Sequence, residues 1–219
     1  MNILDIIGPV MVGPSSSHTA GAVRIGLVAR KLLGESVAKA KIHMHGSFAA
    51  TGKGHGTDKA LVAGLLEMAV DDERIPRSFE IAKEKGLEFT FDDIELMEAH
   101  PNSVKLELTG VSNNTLELVA ASIGGGQIRV CEIDGLATSF AGDCPTLVVH
   151  NQDQPGYVMS VTTMLAHQSI NIATMQLFRH TRGGFAVMVV ECDQEVSPES
   201  IEWLRKQPGV LKVTYLSQV

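Results

Sequence analysis

GPSSSHTAG, residues 13–21, places three hydroxyls, an imidazole and a fourth hydroxyl where a helical pattern begins. One serine is enough to cap a helix. A helix N-terminus also leaves N–H groups unpaired and carries about half a positive charge, so it attracts anions. Ser15, Ser16, Ser17 and Thr19 can therefore cap the helix and still offer hydroxyls to a carboxylate or phosphate. His18 adds a group able to move a proton near neutral pH. An over-capped helix beside an exposed histidine is the competing reading of the same spacing.

A second stretch, TGKGHGTD (51–58), sets His55 just before another helical pattern, with Lys53 and Gly54 upstream. The spacing of a phosphate-binding P-loop is absent. Read as a glycine-rich loop, it can bring backbone amides, a cation and an acid or base to a small polar ligand; taken by itself, it reads as a turn. Two such stretches close together favour a site whose acid/base candidates are His18 and His55, with Ser15, Ser16, Ser17, Thr19, Lys53 and Gly54 handling substrate. Asn102 and Gly124 to Gly126 are second-tier contacts or turn residues. His43 and His45 share a strand face at a metal-ligand spacing, but with no third ligand in view they read as ordinary strand residues.

The elements that position these residues follow from periodicity. A short apolar segment, Ile3 to Ile7, ends at Gly8-Pro9, and Val23, Leu27, Val28, Leu32 and Leu33 recur at helical spacing until Gly34. KAKIHMHGS (39–47) predicts a strand, KALVAGLLEMAV (59–70) a helix, and RSFEIAKEKG (77–86) a third helical stretch. Strand signals then dominate in LEFTF, VKLELTG, TLELVAAS and QIRVCEI. Helices and strands are partly segregated, which predicts an α+β fold. A boundary is expected at 144/145, dividing the chain into domains 1–144 and 145–219. The second part reads strand, helix, strand, strand, helix, strand in TLVVHN, YVMSVTTMLAHQ, NIATMQLFRH, FAVMVVECD, SPESIEWLRKQ and VLKVTYLS, the βαββαβ order of a ferredoxin-like unit.

Composition narrows the class. The 219 residues carry 18 basic and 25 acidic side chains and no basic stripe, which argues against nucleic acid as a partner. No apolar stretch is long enough to span a bilayer. MNILDIIGPVMVG carries Asp5 and no Lys or Arg before Arg24, unlike a secretory signal, so the cytoplasm is the expected compartment. Cys131, Cys144 and Cys192 are odd in number and widely spaced, fitting neither a disulfide framework nor a metal site of this chain.

HNQDQPGYVMSVTTMLAHQSINIATM resembles the ACT domain, a family of small amino-acid-sensing modules, and the resemblance covers residues 146–219. Its most specific pieces are the turn Asp153-Gln154-Pro155-Gly156 and Ser169-Ile170-Asn171-Ile172. The resemblance implies a ligand near this turn, at an interface between paired modules, with Asp153, Gly156 and Asn171 as effector contacts; homodimerisation through the module without a ligand is the other expectation.

GPSSSHTAG, GSFAATGKGHGTDKA, HPNSV (100–104) and SIGGGQI (122–128), in that order and ahead of an ACT module, resemble the beta chain of the bacterial iron–sulfur L-serine dehydratases over essentially the whole length. The front domain is also similar to the allosteric substrate-binding domain of some phosphoglycerate dehydrogenases. The first resemblance implies elimination of water from L-serine to give pyruvate and ammonia. It also implies a 4Fe-4S cluster, held by cysteines of a separate alpha chain, that takes the substrate hydroxyl. This chain would then supply substrate-binding and acid/base residues to that partner. A non-catalytic amino-acid-sensing regulatory subunit is the alternative.

Overall fold

The computed structural model describes residues 10–217, so the expected segment Ile3 to Ile7 and the Gly8-Pro9 stop lie outside the described residues. The chain divides into two compact units, one up to Gly135 and one from Leu136 onward.

Among the described residues, the first helical element of this unit is one π-helical turn, Ser16–Ala20, that runs directly into α1, Gly21–Leu33. Gly34 ends α1 in the left-handed conformation, its N–H donating to Arg30 O. Next come β1 (Val37–Met44), α2 (Gly46–His55), α3 (Thr57–Leu65) and, after a 3-10 turn, α4 (Ser78–Glu84). The strands β2 (Glu88–Asp93), β3 (Ser103–Gly110), β4 (Thr115–Gly124) and β5 (Gln127–Ile133) complete it. Within this unit the strand order is β2-β1-β3-β4-β5; β1 and β2 are parallel and the remaining pairs antiparallel. The period of two puts Ile42, Leu106 and Leu118 in line across β1, β3 and β4, all fully buried. Helix α1 packs on β3, β4 and β5, burying Ile25, Val28 and Leu32.

Residues 51–55 correct the sequence reading. They are not a loop but the last part of α2, and only Gly56, at φ +70, is a true turn residue, capping α2 and leading into α3. Gly52 and Gly54 each cost a helix about 1 kcal/mol relative to alanine. Tertiary packing overrides that cost: Phe48 is fully buried, and Gly52 lies so close to Thr57 that a Cβ would approach its Cβ within 3.2 Å.

The second unit begins with β6 (Leu136–Phe140), a strand the sequence reading did not include, which packs on β8 and β9 of the same unit. It continues with β7 (Thr146–Gln152), α5 (Tyr157–His167), β8 (Ile172–Arg179), β9 (Phe185–Cys192), α6 (Pro198–Arg205) and β10 (Val210–Leu216). The antiparallel order β10-β7-β9-β8 is that of the expected βαββαβ module. Leu147, Val149, Leu165, Met188, Val190 and Leu204 form its core. Ser197 caps α6, accepting from Ser200 N, with Pro198 at the first helical position.

Candidate active site

Ser15 takes up the capping role: its hydroxyl accepts from His18 N at 3.1 Å and its carbonyl from Thr19 N at 2.8 Å. The π turn that follows is wider than an α turn, a local departure that tends to occur at functional sites. Thr19 is buried and donates its hydroxyl to His55 O at 3.1 Å, tying this turn to the end of α2. The His18 and His55 rings consequently stand 4.8 Å apart, tilted by 40°. Phe48 meets the His18 ring edge-on at 5.4 Å.

Each imidazole is held by its own partners. His18 Nε2 lies 3.0 Å from Ser47 Oγ and 3.1 Å from Thr51 Oγ1, and His18 Nδ1 lies 3.3 Å from Ser17 Oγ. His55 Nδ1 lies 3.1 Å from Thr51 O. Burial, together with the neighbouring His55, holds the His18 pKa below the ordinary histidine value, against an opposing contribution from the Ser47 backbone. His18 is thus biased toward the neutral, proton-accepting form at neutral pH.

Thr19, Lys53, Gly54 and His55 line a cavity of about 340 Å³, completed by Gly56, Asp58, Lys59 and residues of the 12–14 and 75–76 segments; His18 is not on its lining. That volume suits a small ligand. Lys53 and Asp58 give its wall both signs of charge. Ser15, Ser16 and Ser17 sit in the adjacent turn rather than on the lining. A larger hollow, about 510 Å³, crosses the strands of the same unit, but its charged groups already pair with one another, as in Lys39–Glu88 at 3.7 Å and Lys41–Glu107 at 3.3 Å. The smaller cavity is the one whose wall holds the candidate residues Thr19, Lys53, Gly54 and His55.

Ser47 and Thr51 are the contacts that sequence reasoning missed. They stand four apart, on one face of a helix, a relation that cannot be seen while 51–58 is read as a loop. Two buried hydroxyls, Thr57 Oγ1 and Ser122 Oγ, also lie close by without a hydrogen-bond partner among the described residues. A Cβ on Gly21 would come within 2.1 Å of Ser122 Oγ, so β4 presses directly against the start of α1. Of the second-tier residues, Asn102 O accepts from Ser122 N at 3.0 Å, and Gly126 O accepts from Arg24 of α1 at 3.1 Å. His43 is held between Asp92 at 2.6 Å and Glu107 at 3.3 Å; His45 lies past the end of β1, its Nδ1 accepting from Leu96 N.

What brings α1 and α2 together is a glycine crossing between α1 and α3. A Cβ on Gly64 would lie 2.1 Å from Val23 O, and one on Gly26 would lie 2.5 Å from Leu61 O. The backbones touch there, so the π turn and the end of α2 converge at one end of the crossing.

In the second unit the three expected effector contacts do not converge. Asp153 accepts from Gly183 N at 2.9 Å and from Arg179 Nη1 at 2.6 Å; these two partners, in that order, hold its carboxyl below the ordinary range. Gly156, at φ +106, caps α5 without a side-chain bond. Asn171 donates to Asp193 Oδ2 at 2.6 Å, just ahead of β8. Arg179 closes that strand and Ile172 opens it, so about 25 Å of extended chain separates the surroundings of Asp153 from those of Asn171.

The cysteines do not form a cluster site. Cys192 is fully buried, its thiol pushed up to about 11 mainly by burial. Cys131 lies in the first unit, and burial raises it as well. Among the described residues, no three His, Cys, Asp or Glu side chains come together as a metal-holding group. No helix among the described residues is long and apolar enough to cross a membrane.

An α+β unit with a small cavity walled by His55, whose ring meets His18, is followed by a βαββαβ module; the ACT family profile matches residues 146–209, so that module is an ACT domain. The profile of the serine dehydratase beta chain matches residues 2–132, and the chain belongs to that family. It is 41% identical over 216 residues to the probable L-serine dehydratase, beta chain, of Bacillus subtilis (strain 168), covering 99% of this chain and 98% of the relative. It is 38% identical over 194 residues to the L-serine dehydratase, beta chain, of Peptoniphilus asaccharolyticus, covering 88% and 87%. A D-3-phosphoglycerate dehydrogenase of Bacillus subtilis (strain 168) is 28% identical over 193 residues, which span 88% of this chain but 36% of the relative.

Proposed function

We propose that this chain is the beta subunit of an iron–sulfur L-serine dehydratase, a cytoplasmic lyase that eliminates water from L-serine on the way to pyruvate and ammonia. The observation that carries the reading is the meeting of His18 and His55 beside the Lys53-Gly54 wall, within a chain matched end to end by dehydratase beta chains.

Breaking the Cα–H bond needs a base within direct or one-water reach of the proton. The two imidazoles are the groups here that exchange protons near neutral pH. Lys53 is the cation for the substrate carboxylate, with Thr19 on the same cavity wall and Ser15, Ser16 and Ser17, in the turn that leads to Thr19, as the further hydroxyls for substrate. The 4Fe-4S cluster belongs, in this reading, to the separate alpha chain; among the described residues, no three His, Cys, Asp or Glu side chains of this chain gather to hold a metal. The ACT module pairs with a second copy, and Asp153, Gly156 and Asn171 serve opposite ends of a shared effector site.

The test is anaerobic co-purification with an iron–sulfur partner, assaying pyruvate from L-serine before and after the chains are separated. Activity that needs both chains is the expected result. Full activity with His18 and His55 both replaced would overturn the reading. A non-catalytic amino-acid sensor is the second reading, favoured by the partial match to D-3-phosphoglycerate dehydrogenases. It predicts serine binding by this chain alone, with no turnover in any mixture.

A further inference from the structure

Thr51 contacts both histidines through different atoms. Its hydroxyl donates to Ser47 O at 2.9 Å, one turn back along α2. With that proton committed, Thr51 Oγ1 can only accept from other groups. His18 Nε2 lies 3.1 Å from this oxygen, a contact that is attractive when Nε2 carries a proton and is lone pair against lone pair when it does not. Ser47 Oγ, 3.0 Å from the same nitrogen, can accept the shared proton. The lone pair of neutral His18 is then on Nδ1, which faces the Ser17 hydroxyl at 3.3 Å.

At the other ring the logic is simpler. Thr51 O is a carbonyl and only accepts, so His55 Nδ1, 3.1 Å away, must be the protonated nitrogen. The lone pair of His55 is on Nε2.

We infer that Thr51 is a positioning residue that sets opposite tautomers in the two histidines, Nε2–H in His18 through its hydroxyl and Nδ1–H in His55 through its carbonyl. The tautomers are a property of this chain by itself; only their consequence for turnover rests on the dehydratase reading. Each ring presents one defined proton acceptor, Nδ1 of His18 beside Ser17 and Nε2 of His55.

The two roles separate experimentally, because a side-chain substitution removes the hydroxyl and leaves the carbonyl. Long-range proton–nitrogen correlation spectra of the isotope-labelled chain, at about pH 8 where imidazoles are neutral, report each ring's tautomer. His18→Gln and His55→Gln assign the signals. The wild type is expected to show Nε2–H at His18 and Nδ1–H at His55. Thr51→Val should convert His18 to a mixture and leave His55 as it was; Thr51→Ser should restore His18. The opposite tautomer at either ring in the wild type, or a His18 pattern indifferent to Thr51→Val, overturns the inference. If Thr51→Val fails to fold, the wild-type and Thr51→Ser spectra still decide the assignment.

In the assembled complex, Thr51→Val should lower turnover by roughly tenfold or more and displace the acidic limb of the pH–rate profile, with Thr51→Ser recovering both. Tautomers as stated with turnover unmoved would overturn the catalytic reading while supporting the assignment itself.

Discussion

Thr19 reaches from the π turn to the carbonyl of His55, a 3.1 Å bond that crosses between the two polar stretches and holds their imidazoles in contact. The chain thus builds its candidate site by bringing a helix start against a helix end. The start contributes the serine cap and His18; the end contributes Lys53 and His55. The glycine crossing of α1 and α3 sets the spacing between them.

The first prediction concerns pH. Burial and the neighbouring imidazole disfavour a charged His18, so the folded chain binds that proton less readily than the unfolded chain. Between the lowered value and the ordinary 6.5, the unfolded state holds more protons, and stability rises with pH across that window. Above 6.5 the contribution is complete, and acidification removes it. Urea midpoints measured from about pH 5 to pH 7 should show this slope in the wild type and a shallower one in His18→Gln. Parallel slopes would contradict it.

The second concerns the pair. His18→Gln and His55→Gln each leave the helix cap in place, because the cap uses the backbone N–H of His18 rather than its ring. Each variant should fold and lose serine turnover in the assembled complex by about 10²- to 10⁴-fold. Because the rings touch, the double variant should fall far short of the product of the two losses. Full additivity would mean that the two histidines act independently.

The legible parts of the fold were those with strong local periodicity. Strands β7 and β9 are short apolar runs bounded by turn residues, and Ser197-Pro198 and Pro208-Gly209 punctuate α6 where expected. Ser15 likewise announced its helix. Helix α2 was not legible, because its glycines argue for a loop and its stability comes from the burial of Phe48, a tertiary fact. Thr51 was hidden by the same misreading, and Ser47 by the strand expected over 39–47, which ends at Met44. Strand β6 alternates from Leu136 to Phe140 but is only five residues long, too short for its pattern to stand out in the sequence. The separation of Asp153 from Asn171 was implicit in the βαββαβ order, since Asp153 follows the end of β7, Asn171 precedes the start of β8, and both strands run antiparallel to β9.

The third prediction tests the crossing. Gly64→Ala adds a methyl that meets Val23 O at 2.1 Å and Gly26 Cα at 2.8 Å, both backbone atoms of α1. The helices must move apart, at a cost of about 1–3 kcal/mol that outweighs the gain in helix propensity. Gly54→Ala is the contrast, since nothing lies within 4 Å of its added Cβ in α2. That change should stabilise the chain by up to about 1 kcal/mol. Denaturant midpoints moving in opposite directions are the expected result, and a tolerated Gly64→Ala would show that the crossing is loose.

The fourth lies in the ACT unit. The Tyr215 hydroxyl donates to Glu195 and accepts from Val196 N at 3.1 Å, anchoring the segment between β9 and α6 to β10. Burial, with the Glu195 carboxylate beside it, pushes the phenol from 10.0 up to about 12. The folded chain therefore keeps this proton longer than the unfolded one, and stability falls as pH rises from 10 toward 12. Alkaline absorbance titration should show a phenol ionising near that upper value. Tyr215→Phe should abolish that component and cost about 1 kcal/mol by leaving the Val196 N–H unpaired. It should also flatten the alkaline loss of stability, because the group whose proton release opposes folding is gone. A Tyr215→Phe variant that keeps the late ionisation, or loses stability in base as steeply as the wild type, would place the effect on another group.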